Sequence, residues 1–352
     1  MKKIVTLFAG IVITGALFAQ TFNSPESVEY DAAGNRWFVA QNGSGQIHYY
    51  SPGSGTLTQL GTTTLSSGPH GIEILGTTLY ACDGNSIKGF DLATGAQVFN
   101  LNVGATFLNG LTTDGGHFLF ATDFTGKKIY RINTLTSTSN VMCSTTKTPN
   151  GIYYDGANNR CVFVTWGANA PIQAMSLGDS TVTTLLATSM GSCDGITRDA
   201  AGYWYVTAWT GNQLWRIDPA FSSAPVSVMT GLSSPADIDI NAAGDSIGIP
   251  NSGSANNVVF YTNITTTIVD PSIVETKVFP VPSSGDVTVN FANPLNNAQA
   301  EVYDLSGKQI SAELFTGSNY IVNRNNLASG KYIVVFRTIE GEILSRNEIF
   351  FN

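Results

Sequence analysis

Pro149-Asn150-Gly151-Ile152 reads as a short turn, one variable residue and a glycine leading into an apolar strand, and the phrase occurs six times in the chain. The other copies are Pro25-Glu26-Ser27-Val28, Pro69-His70-Gly71-Ile72, Leu108-Asn109-Gly110-Leu111, Cys193-Asp194-Gly195-Ile196 and Pro235-Ala236-Asp237-Ile238. The apolar fourth residue stands at 28, 72, 111, 152, 196 and 238. A period of roughly 40–45 residues with strand-like content is the signature of propeller blades. The reading is all-β: a six-bladed β-propeller over about residues 20–270, then a small Ig-like β-sandwich over 271–352.

Within blade one, Ser27-Val28-Glu29-Tyr30 alternates as a half-buried strand, Asp31 to Asn35 is a turn, and Trp37-Phe38-Val39 is a buried strand. Ile47 to Tyr50 and Thr56 to Gln59 supply the third and fourth strands. Later copies keep this order, as in Asp199-Ala200-Ala201-Gly202 before Trp204-Tyr205-Val206. Blade six is the least regular; Asn257 to Thr262 and Thr265 to Val269 are the segments available to complete it.

Composition agrees with many short strands and tight turns. Of 352 residues, 43% are apolar and 12% charged, with 36 glycines. Lys2 and Lys3, the apolar run Ile4 to Phe18 and Ala16-Leu17-Phe18-Ala19 form a signal peptide over residues 1–19, so the mature chain is expected outside the cytoplasm with no membrane span. A net charge of −8 without basic clusters disfavours nucleic acid and anionic membranes as partners. Cys82, Cys143, Cys161 and Cys193 lack metal or redox spacing, and two disulfides or four free core thiols both fit.

The first strand of each propeller blade is innermost, so the variable residues of the repeat encircle the channel: Glu26, His70, Asn109, Asn150, Asp194 and Ala236. Two carboxylates and two amides offer oxygens of the kind Ca²⁺ takes, and one histidine without cysteine is a poor set for zinc. Carboxylates converging without a basic neighbour repel, and a divalent cation removes that conflict. Taken singly, Asn-Gly and Asp-Gly are ordinary turn pairs. At the same mouth Trp166 and Trp209, from adjacent blades, form an apolar substrate wall or pack between blades.

The repeat, with its Pro-x-Gly-Ile strand starts and Asp-x-x-Gly turns, resembles the NHL-type and gluconolactonase/paraoxonase-type six-bladed propellers from Ser24 to Ile264. The resemblance implies a divalent metal held by Glu26, Asn150 and Asp194, with Asn109 assisting. Pro69-His70-Gly71-Ile72 looks like the paraoxonase segment whose histidine sits over calcium. This chain departs from the pattern at Ser27, at Gly110 and after Asp194.

The tail carries a different pattern. Pro280-Val281-Pro282-Ser283-Ser284-Gly285, then Tyr303-Asp304-Leu305-Ser306-Gly307-Lys308, then Gly330-Lys331-Tyr332, resembles the type A sorting domain of the type IX secretion system of Bacteroidetes. That implies passage across the outer membrane, with the secretion machinery as partner and release or surface attachment as the end.

The expected function is a secreted, monomeric, Ca²⁺-dependent lactonase or esterase acting on a small molecule, with Asp194 or His70 activating water. The alternative is a non-catalytic surface propeller that binds glycans or proteins across the same face.

Overall fold

Strand pairing follows the repeat. The computed structural model describes residues 22–51, 56–262, 274, 276–304, 308–324, 327–338 and 343–352. The signal segment, the candidate strand Thr265 to Val269 and the boundary at Asp270-Pro271 lie outside the described residues. The chain divides into two compact units, Met1–Thr266 and Thr267–Asn352.

Among the described residues of the first unit, five four-stranded antiparallel sheets and one three-stranded sheet follow one another along the chain. Blade one consists of Pro25–Asp31, Arg36–Gln41, Gln46–Tyr50 and Leu57–Gln59. The turn after its first strand forms because Asp31 Oδ1 accepts the Ala33 and Gly34 N–H groups, while Oδ2 pairs with Arg36 Nε at 2.8 Å. The second strand, flanked on both sides, is buried from Trp37 to Gln41. The inner strands of blades two to five are Ile72–Leu75, Leu108–Thr113, Thr148–Asp155 and Cys193–Arg198, and Asp239–Ile240 is that of blade six.

The core lies between blades rather than within them. Phe38, Ala40 and Ile47 of blade one pack on Ile72, Leu79 and Phe90 of blade two. Tyr205 and Leu214 of blade five meet Ile247 and Ile249 of blade six, and Val28, Trp37 and Val39 meet Val258. Inner strands neighbour each other in chain order, and the last returns to the first. At that seam Asp237 N–H donates to Glu26 O at 3.0 Å, Phe22 N–H donates to Asn256 O at 2.8 Å, and Ser27 Oγ donates to Asp237 Oδ2 at 3.1 Å.

The glycine of the repeat has a packing cause. A Cβ on Gly151 would stand 2.3 Å from the Asp194 carbonyl oxygen, and one on Gly110 would stand 2.5 Å from that of Asn150. Inner strands therefore approach as closely as backbone allows, which fixes the variable residues around the axis. Threonines lock the same approach: Gly110 N–H donates to Thr122 Oγ1, which donates to Asn150 O, and Gly195 N–H, Thr207 and Ala236 O repeat the arrangement. At the seam, where the repeat has Ser27 and Asp237 instead of glycine, the two side chains bond to each other. Gly151→Ala is expected to destabilise the propeller by about 2 kcal/mol, the cost of overpacking against backbone that cannot yield. Thermal melting checks this, and an unchanged Tm would contradict it.

Among the described residues the second unit has five strands: Thr276–Phe279, Val287–Asp304, Gln309–Val322, Gly330–Arg337 and Ile343–Phe351. The strand expected at Val287 to Phe291 continues to Asp304, bending through register shifts around Leu295. Its first half pairs with Thr276–Phe279 and its second half with Gly330–Arg337, which folds the sheet over a core of Val289, Ala300, Val302, Val334 and Phe336 as a small sandwich.

Candidate metal centre at one mouth of the channel

Each inner strand begins at the same end of the channel, so the repeat delivers its variable residues there together. Asp194 is 3% exposed, Asn150 1%, Asn109 7% and His70 8%, while Glu26 is half-buried. Ala236 offers only its buried backbone, and Ser252 Oγ donates to Glu26 Oε2 at 2.8 Å beside it.

The electrostatics of this mouth are unfavourable as they stand. Burial first, then the charges of Glu26 and Asp237, push the Asp194 carboxyl well above the usual carboxylate range. Burial raises Glu26 as well, with the Ser252 hydroxyl opposing. Among the described residues neither carboxylate forms an ion pair. Asn150 Nδ2 donates to Cys193 O at 3.1 Å, yet its Oδ1 is buried with no hydrogen-bond partner. A buried acceptor beside two uncompensated carboxylates is the environment a hard cation completes. Among the described residues no group of three or more His, Cys, Asp or Glu side chains is placed to hold a metal.

His70 is held from one side, with Nε2 2.8 Å from Asn42 Nδ2 and the ring edge-on to Phe107 at 4.6 Å. Its Nδ1 is buried and unpartnered, and burial lowers its pKa to about 4, so the imidazole is neutral at pH 7. Trp166 and Trp209 meet edge to face at 5.1 Å, each half-buried. The buried Trp209 indole N–H makes no hydrogen bond, but it lies close enough to Asp194 to favour the charged carboxylate. The four cysteines are free thiols, and burial raises Cys143 to about 11 and Cys193 to about 12, so these two stay protonated.

A second set of carboxylates sits deeper along the channel. Glu29, Glu73, Asp237 and Asp239 line a cavity of about 200 Å³ that no basic residue lines among the described residues. Burial is the first cause in each case: Glu29 and Glu73 rise well above the usual range, Asp237 to about 7 and Asp239 to about 6. Glu29 Oε1 accepts the Ile74 N–H and Asp239 Oδ2 accepts the Tyr30 N–H, which ties the cluster across blades six, one and two. The repeat carried a signal for it, because the residue after the apolar fourth position is acidic in those three blades.

Comparison with known proteins agrees with this division. Residues 277–347 match the family model of the secretion system C-terminal sorting domain. The tail is a sorting domain, and the chain is exported by type IX secretion to the cell surface or beyond it. No curated protein sequence matches the chain. Among solved structures, the gluconolactonase XC5397 from Xanthomonas campestris superposes with a TM-score of 0.58 at 15% identity, over 70% of this chain and 87% of that one. A luciferin-regenerating enzyme gives 0.60 at 13% identity, over 72% and 95%, and a chain of the nidogen/laminin complex gives 0.54 at 14%, over 81% and 97%. At these identities the likeness is one of fold. No helix among the described residues is long and apolar enough to cross a membrane.

Proposed function

We propose that this exported propeller is a divalent-metal-dependent hydrolase of lactones or esters, with Ca²⁺ as the metal and Glu26, Asn150 and Asp194 holding it, assisted by Asn109. One observation supports the reading above others: a buried and a half-buried carboxylate, neither in an ion pair among the described residues, lie near a buried amide oxygen that no protein group satisfies. A bound divalent cation supplies Lewis-acid polarisation of a substrate carbonyl and stabilisation of the oxyanion.

The protein groups around it have separate tasks. His70, neutral at pH 7 and fixed by Asn42, stands at the mouth as a proton acceptor for the attacking water. As placed, Asn42 Nδ2 donates to Nε2 and the ring proton sits on Nδ1, so that role needs the Asn42 amide turned until its oxygen accepts from Nε2–H and the Nδ1 lone pair is free. Asp194 is the other candidate base, since burial raises its proton affinity. Trp166 and Trp209 wall the approach and exclude water from one side.

A panel of lactones and aryl esters assayed with Ca²⁺ and then with a chelator tests this. Turnover is expected with the ion and is expected to fall below about 1% without it, while Ca²⁺ at 100 times its Kd raises stability by about 2.7 kcal/mol. Metal binding without turnover of any substrate would instead favour the non-catalytic surface propeller.

A further inference from the structure

The two tryptophans belong to a longer arc. Running around the mouth from blade two to blade five, His70 meets Phe107 at 4.6 Å, Phe107 meets Phe124 at 6.0 Å, Phe124 meets Trp166 at 5.8 Å, and Trp166 meets Trp209 at 5.1 Å. Phe107 immediately precedes the inner strand of blade three, Phe124 follows its second strand, and Trp166 and Trp209 stand at or just past the ends of the second strands of blades four and five. Antiparallel pairing puts all four positions at the channel end that holds Asn109, Asn150 and Asp194.

These rings are not core. Phe107, Phe124, Trp166 and Trp209 are each half-buried, and none belongs to the hydrophobic clusters that hold the blades together. Trp37 and Trp204, which do, are 5% and 0% exposed. Blades six and one face the arc with Ser24, Ser252, Asn42 and Glu26, joined by polar bonds such as Ser24 Oγ to Ser252 Oγ at 3.2 Å. The rim outside the inner ring of Asn109, Asn150 and Asp194 is thus aromatic from blade three to blade five, and hydroxyls, an amide and a carboxylate stand on blades six and one, the division expected of a site that orients an amphipathic small molecule.

We propose that Phe107, Phe124, Trp166 and Trp209 form the subsite for an aryl or medium-chain acyl group, so that apolar esters and lactones are preferred over polyhydroxylated ones. The proposal rests on the hydrolase reading for its reaction, though not for binding. Successive rings are tilted by 89°, 65° and 74°, giving a ribbed wall of alternating edges and faces. Such a wall receives another aromatic ring edge to face, or an alkyl chain in its grooves. A polyol laid there would leave hydroxyls without partners.

Two measurements on the Ca²⁺-loaded full chain separate the possibilities. In the first, 4-phenylbutyrate and gluconate are titrated while tryptophan fluorescence is followed, with wild type, Phe124→Ala and Phe124→Leu. The aryl carboxylate is expected to bind at least 10-fold tighter than gluconate, with affinity lost in Phe124→Ala and largely kept in Phe124→Leu at unchanged Tm. In the second, kcat/KM is compared for a phenyl ester and a sugar lactone, and Phe124→Ala is expected to lower the ratio about 10-fold. Hydrolysis of both with no apolar preference, or a ratio that Phe124→Ala leaves unchanged, overturns the subsite while the hydrolase reading stands. Selective binding of 4-phenylbutyrate without hydrolysis upholds the subsite and removes the reaction. Failure of both ligands to bind overturns the subsite.

Discussion

Asp194→Ala is expected to lose Ca²⁺ affinity by on the order of 100-fold or more, about 2.7 kcal/mol, and to take hydrolysis with it. Asp194 is the more buried of the two carboxylates in the proposed ligand set. Without it the cation would keep Glu26 and amide oxygens, too little charge to offset dehydration in a buried site. The isosteric Asp194→Asn separates charge from shape. In the metal-free protein the charged form of Asp194 is opposed first by burial and then by Glu26. Asp194→Asn is therefore expected to melt at or above the wild-type temperature without metal, yet to gain nothing from Ca²⁺. A variant that loses binding while gaining stability is the mark of a functional site. Calorimetry and melting with and without Ca²⁺ read both effects, and retained hydrolysis in either variant would contradict the assignment.

The second large effect is a loss of stability as pH rises. Glu29, Glu73, Asp237 and Asp239 hold protons in the folded state more tightly than an unfolded chain does. Between the unfolded carboxyl range near 4 and the folded values, the native state binds more protons, so stability falls with increasing pH. For Asp239 the window closes at about 6 and for Asp237 at about 7, with Glu29 and Glu73 acting in the same direction. One pKa unit is about 1.4 kcal/mol, so the metal-free propeller is expected to lose a few kcal/mol, or about 10 °C in Tm, between pH 4.5 and 8. Glu73→Gln removes one of the opposed charges and is expected to raise Tm at pH 8 while leaving it nearly unchanged at pH 4.5. A Tm that rises steadily across this range in the wild type would refute the account.

The fold was legible because the repeat carries its own geometry. Period, turn aspartates and buried second strands together define blades, and the strands of blade one fall where the alternation from Ser27 to Gln59 places them. The reason for the repeat's glycine was not legible, since it lies in the backbone of the next blade, some forty residues away. The mouth was legible as a set of equivalent positions, and the structure brings Asn150 and Asp194 together in the interior with Glu26 in electrostatic reach. Ala236 contributes no side-chain donor, and its place beside Glu26 is taken by Ser252, which no register of the repeat marks. Phe107 and Phe124 escaped notice because they flank the strands rather than alternate within them. The deeper carboxylates escaped because each, read alone, looks like the solvent-facing half of an alternating strand. Only closure of the ring turns that face inward.

The most direct test is a crystal structure of the propeller grown with Ca²⁺, with Mn²⁺ exchanged in for its anomalous signal. A single peak about 2.3–2.6 Å from carboxylate oxygens of Glu26 and Asp194 and from Asn150 Oδ1 is the expected result for Ca²⁺. Full occupancy of the crystal by the ion elsewhere, with these oxygens bonded only to water, would contradict it.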